Sequence, residues 1–127
     1  MRLPGPSETF VLFDDARARA PAASRLYRDP VGEIVAHHLN EVQPALDRVA
    51  DALESGLHVA GYMSYEAGFA LEDRLAPLAA RADRAATPLL WFGLFEGCRK
   101  IAPDAVAPLL PDPDGCGVGV LRPLIDE

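Results

Sequence analysis

Three groupings of side chains have types and spacings that could do chemistry: His37-His38, Tyr65-Glu66, and the charged set Arg25, Arg28 and Asp29. Adjacent imidazoles are potential ligands for a divalent metal ion. Neighbouring residues on a strand point to opposite faces, however, and no cysteine or nearby carboxylate pair completes a four-ligand set around them. No metal ligand is therefore assigned. Tyr65-Glu66 presents a phenol that needs a hydrogen-bond partner if buried, and a carboxylate beside Gly68 able to accept from backbone amides or to meet an arginine. The same pair serves equally to close a turn and orient a strand. Arg25, Arg28 and Asp29 can clamp a ligand or stand as solvated charges, as such residues mostly do.

Groups able to make or break bonds are not assembled in this sequence. Ser7, Ser24, Ser55 and Ser64 sit in no nucleophile-elbow motif, and neither Cys98 nor Cys116 has a histidine at a diagnostic spacing. The glycine run Gly115-Cys116-Gly117-Val118-Gly119 lacks the preceding strand and following helix of a phosphate cradle, so it reads as a tail. No catalytic residue is assigned.

The elements that would position these residues are legible from periodicity. Residues 1–9, with Pro4, Gly5 and Pro6, read as a flexible lead-in, and Phe10-Val11-Leu12-Phe13 as a short strand ended by Asp14-Asp15. Pro21 interrupts the Ala/Arg-rich stretch that follows, which reads as a surface connection. Leu26 to His37 reads as one extended region with a turn or bulge at Asp29-Pro30. From Asn40 to Ser55, Val42, Ala45, Leu46, Val49 and Leu53 recur at three- and four-residue spacing, the signature of an amphipathic helix lying on a sheet. Asn40 with Gln43 suits a capping box, Pro44 suits only a first turn, and Gly56 stands where a left-handed C-terminal cap is wanted.

Leu57 to Tyr65 is apolar on both faces and so predicts a central strand, with Gly61 and Gly68 at points of close approach. A short helix and a loop are expected over 71–86. Leu89 to Phe95, the most apolar run, predicts a buried strand paired with the preceding one. Pro103, Pro108, Pro111, Pro113 and the glycines after them have linker composition, placing the domain at 10–102 and a linker at 103–127. Val118, Val120 and Leu121 either add an edge strand or begin a further domain. The fold class is α+β, a mostly antiparallel sheet with one main amphipathic helix packed on it.

A chain of 127 residues that is 50% hydrophobic has the material for one core, and its net charge of −7 disfavours nucleic acid and anionic membranes as partners. No run approaches the roughly 18 apolar residues that span a bilayer, and the N-terminus lacks the pattern of a signal peptide, so a cytoplasmic protein with free thiols is expected.

The stretch from Ala60 to Leu71, Ala-Gly-Tyr-Met-Ser-Tyr-Glu-Ala-Gly-Phe-Ala-Leu, resembles the Gly-Tyr-x-Ser-Tyr-Glu-x-Gly segment of the chorismate-utilising synthases. These are the large subunits of aminodeoxychorismate synthase and anthranilate synthase. Phe10 to Ala16 followed by Arg25-Leu26-Tyr27-Arg28-Asp29-Pro30, Gly56 to Gly68, and Pro88 to Phe95 are similar to the aminodeoxychorismate branch in order and spacing. The resemblance implies a structural signature at Gly61, Tyr62, Ser64, Tyr65, Glu66 and Gly68, and a place in the β-sandwich of that family. It further implies an N-terminal domain that scaffolds a downstream chorismate-binding domain, where Mg²⁺ and the catalytic residues reside. The complete enzyme aminates chorismate for 4-aminobenzoate and folate synthesis, with ammonia from a glutamine amidotransferase subunit. No cofactor is expected in the present residues, which alone should not turn chorismate over.

Several members of the family hold an aromatic amino acid in a pocket of this domain. By position that pocket would involve Asp15, Arg25, Leu26 and Tyr27, with Asp15 departing from the serine often found there. The neighbouring reading within the family is the N-terminal domain of a tryptophan-regulated anthranilate synthase. A reading outside it is a stand-alone α+β binding or assembly module. A domain separated from its neighbour should leave an apolar face open, which invites self-association.

Overall fold

The computed structural model of the chain describes residues 2–5, 7–15, 17, 22–78 and 87–110. Its strands are β1 (Phe10–Phe13), β2 (Ser24–Arg28), β3 (Gly32–Ala36), β4 (His58–Met63), β5 (Leu90–Phe95) and β6 (Arg99–Ile101), with helix α1 (Leu39–Glu54) between β3 and β4. The architecture is α+β. Among the described residues the strands form two antiparallel three-stranded sheets, ordered β1-β2-β6 and β3-β5-β4.

The extended region expected over Leu26 to His37 is divided between these sheets. Asp29 takes φ 56°, a left-handed backbone that aspartate tolerates better than most side chains, and Pro30 follows it. The chain therefore leaves the first sheet after Arg28 and enters the second at Gly32. A second correction concerns β4, expected to be central. Its only neighbour among the described residues is β5, so β4 lies at the edge and the apolar Leu90–Phe95 run takes the middle. The pairing of these two strands is as expected, with Tyr62 opposite Trp91 and Gly61 opposite Phe92.

Helix α1 lays Val42 and Ala45 into a core with Ile34, Ala36 and Leu90, and Leu39, Leu46 and Val49 pack around them. Leu53, counted in the apolar stripe, is 54% exposed, and Ala52 is buried in its place. The helix begins at Leu39, with His38 rather than Asn40 at the N-cap position. Glu41 Oε2 accepts the amides of His37 at 2.7 Å and His38 at 3.0 Å, so two donors at the helix start are satisfied by one carboxylate. The expected Asn40/Gln43 capping box does not form; Gln43 Nε2 donates to Asp47 Oδ1 at 2.9 Å instead. Pro44 lies inside the helix beyond its first turn, where it deprives the Asn40 carbonyl of its usual amide donor. At the far end Gly56 has φ 88° as expected, and Gly56 N–H to Leu53 O and Leu57 N–H to Ala52 O close the helix in a Schellman arrangement.

The second sheet buries one face against α1 and against a 3₁₀ turn, Tyr65–Ala70, that contributes Ala67 and Phe69. On its other face Ala60 and Phe95 meet Tyr27 of the first sheet, with the Tyr27 and Phe95 ring centroids 5.4 Å apart. The first sheet covers its own outer face with Leu26 and Ile101 under Val106 and Leu109, and Leu3 from the lead-in packs there as well. Packed structure thus reaches past residue 102, through the 3₁₀ turns Pro103–Ala105 and Ala107–Leu109. A further 3₁₀ turn, Asp73–Leu78, occupies the start of the region expected to hold a helix. The expectations for residues 79–86 and for the Val118-Val120-Leu121 segment lie outside the described residues. No helix among the described residues is long and apolar enough to cross a membrane.

Candidate functional site

Residues 60–71 run through the end of β4 and around the 3₁₀ turn. Gly61 is required by close approach: a Cβ there would run into the Trp91 carbonyl oxygen and would lie 2.7 Å from Phe92 Cα. Ser64 caps the turn, its Oγ accepting the Ala67 amide at 3.3 Å. Gly68 differs from expectation, since a Cβ added there would meet open space. Tyr65 is 84% exposed, with its ring edge-on to Phe69, so its hydroxyl needs no protein partner. Glu66 is half-buried and makes no hydrogen bond or ion pair among the described residues. Tyr62 and Met63 are exposed as well. Of the signature residues, Gly61 admits β5 and Ser64 caps the turn, Tyr62 and Tyr65 are exposed, Glu66 is half-buried, and Gly68 has open space beside it.

The residues assigned by resemblance to an amino acid pocket are partly brought together. A depression of about 220 Å³ is lined by Phe13, Asp14, Asp15, Ala22, Ala23 and Arg25. Such a volume falls below the roughly 300–1,000 Å³ of drug-sized sites and suits a ligand of amino acid size. The Asp15 carboxylate accepts from the Arg17 guanidinium and from the Ala22 amide, and these hydrogen bonds hold it far below the usual carboxylate range. Asp14 Oδ1 accepts from the buried Ser24 hydroxyl at 2.6 Å. Arg25 makes no ion pair or side-chain hydrogen bond among the described residues. Leu26 stands apart: strand alternation turns it to the opposite face, where it is 1% exposed against Ile101 and Val106. Tyr27 lies beneath Phe13, ring centroids 6.0 Å apart and nearly perpendicular, and forms the floor between the sheets rather than a wall of the depression. Asp14, Asp15 and an Arg25 guanidinium with no partner among the described residues line the same depression, groups whose charges suit the two ends of a zwitterion.

Comparison of the chain with protein-family models, with curated proteins and with solved structures finds no match.

His37 and His38 flank the start of α1 and give up their amides to Glu41; among the described residues no group of three or more metal-capable side chains converges. Arg28 pairs with Glu8 at 3.3 Å and Asp29 at 3.0 Å, all at the surface. Cys98 is a free, half-buried thiol beside Tyr27, Ala60 and Phe95, whereas Cys116 lies outside the described residues. Sequence reasoning passed over the face of the second sheet opposite α1. There Val35, Trp91 and Tyr62 stand in one row across β3, β5 and β4, and Trp91 Nε1 donates to Glu33 Oε2 at 3.2 Å. The row is half-buried to exposed, because Tyr27 covers this face only at Ala60 and Phe95. The available signal was alternation within Leu90–Phe95, which puts Trp91 on the side away from Leu90.

Proposed function

We propose that the chain is the non-catalytic N-terminal domain of an aminodeoxychorismate synthase large subunit, packing against a chorismate-binding domain that performs the amination. The observation that carries this reading is the open row Val35–Trp91–Tyr62 on one face of the second sheet. A sheet with α1 on one side and aromatic side chains half-exposed on the other has the form of one half of a β-sandwich. Tyr62 of the 60–71 segment stands in that row and Tyr65 is exposed on the turn that follows, and the recurrence of these residues in the synthases is then a matter of docking rather than of chemistry. The depression at Asp15 and Arg25 supports the further reading that an aromatic amino acid is held here, its ammonium on the carboxylates and its carboxylate on Arg25. Mg²⁺, chorismate and the glutamine amidotransferase belong to the rest of the enzyme, and the place of work is the cytoplasm.

The test is complementation. The chain is mixed with a separately produced chorismate-binding domain of an aminodeoxychorismate synthase, and amination is followed with chorismate, Mg²⁺ and ammonia. A complex whose turnover exceeds that of the catalytic domain alone supports the proposal, with no turnover by the chain itself. Absence of any complex, or product formed by the chain alone, overturns it.

A further inference from the structure

The four strand edges of this fold are guarded unequally. At β3, Arg48 Nη2 reaches the Glu33 carbonyl at 3.4 Å, placing a cation over the edge. β6 has three residues, two of them Arg99 and Lys100. β1 has four and runs directly into Asp14 and Asp15. Short length and charge are the usual means of blunting an edge against strand addition. β4 has neither: it is the longest edge strand at six residues, no strand lies beyond it among the described residues, and from Ser55 to Tyr65 there is no Asp, Glu, Lys, Arg or Pro. Tyr62 and Met63 at its end are 43% and 46% exposed.

We propose that the β4 edge takes the β4 edge of a second copy of this chain, antiparallel, merging two three-stranded sheets into one of six. Charge selects this occupant. The chain carries −7, so most of its surface repels a copy, but the stretch from Ser55 to Tyr65 holds no Asp, Glu, Lys or Arg. An acidic or basic peptide would find no countercharge there, whereas the edge is matched to itself. Antiparallel pairing centred on Gly61 sets Val59 opposite Met63 on one face and Ala60 opposite Tyr62 on the other, each contact occurring twice, as a two-fold interface requires. Gly61, lacking a side chain, leaves the incoming backbone unobstructed at the centre. This interface stands independently of the synthase reading.

Light scattering on the full chain from about 1 μM to about 1 mM should show a mass rising from one copy to two. Tyr62→Lys and Met63→Lys each place a cation at the edge and should weaken dimerisation about tenfold or more. Leu53→Lys, exposed on α1, should leave it unchanged. Amide exchange on the unmodified chain supplies a reading free of folding artefacts: protection of Val59 to Met63 should rise with concentration. A chain monomeric throughout this range overturns the proposal. A dimer that survives both edge variants does so too, as does one whose formation leaves the Val59–Met63 amides unprotected.

Discussion

Tyr27 and Phe95 join the two sheets, their ring centroids 5.4 Å apart and their planes inclined at 50°. Phe95 is fully buried, and its ring also lies over Gly93, where a Cβ would come within 2.6 Å of Phe95 Cζ. Removing this side chain takes away both the inter-sheet contact and the cover of Gly93. Phe95→Ala should cost about 3–5 kcal/mol, a large part of what a domain this size possesses. Urea denaturation should show the midpoint falling accordingly, or the variant should be unfolded at 37 °C.

Gly61 tests the close approach between β4 and β5. Because the obstacles to a Cβ are the Trp91 carbonyl and Phe92 Cα rather than a flexible side chain, Gly61→Ala must displace backbone. A loss of roughly 1–3 kcal/mol is expected. Gly68→Ala, with open space around the added carbon, serves as the comparison and should lie within about 0.5 kcal/mol of the unmodified chain by the same measurement.

Tyr65 separates stability from docking. Its exposure means that Tyr65→Ala should change unfolding free energy by no more than about 1 kcal/mol, chiefly through the edge-on contact with Phe69. In the complementation assay the same variant should bind the catalytic domain more weakly. Equal binding would remove Tyr65 from the docking surface.

The Asp15–Arg25 depression predicts calorimetric heat on titration with tryptophan at millimolar concentration. Arg25→Ala should weaken that binding about tenfold or more by removing the partner of the ligand carboxylate. No heat with the unmodified chain would dispose of the ligand.

Acid should loosen the start of α1. The amides of His37 and then His38 donate to Glu41 and lower its pKa in the folded state below the usual 4.5. A carboxylate depressed in this way contributes its full stabilisation above the unfolded value and loses it as pH falls through the folded one. Asp15, lowered chiefly by its bond to Arg17, acts in the same direction. Thermal unfolding followed from pH 7 downward should therefore show stability declining below about pH 4.5. Glu41→Gln should lower Tm at pH 7 and flatten that decline.

What the sequence disclosed depended on how far each pattern extended. The three- and four-residue recurrence in α1 and the unbroken apolar run of β5 were readable because each spans a whole element. The helix start was misplaced because histidine is not a habitual cap, and Glu41 does the work through two backbone amides. β4 was read as central because a strand apolar on both faces resembles one covered on both sides. Its outward residues are instead exposed, and composition alone does not distinguish a covered face from an open one. β6 is three residues long with two charges, too short for any period. Of the pocket residues, Asp15 and Arg25 meet because β2 returns antiparallel to β1, a tertiary relation; Leu26 was included by adjacency, although alternation alone separates it from Arg25.

β3 and β4 never touch each other as strands; each pairs with β5, and β5 emerges last of the three. During synthesis, α1 must therefore wait with its apolar stripe uncovered until Leu90 to Phe95 has left the ribosome, since nothing earlier can unite the two outer strands. Such nonlocal closure slows folding and leaves the nascent chain exposed to misassociation. Premature termination before residue 90 would release a polypeptide with no second sheet at all, a natural client for chaperones or proteases.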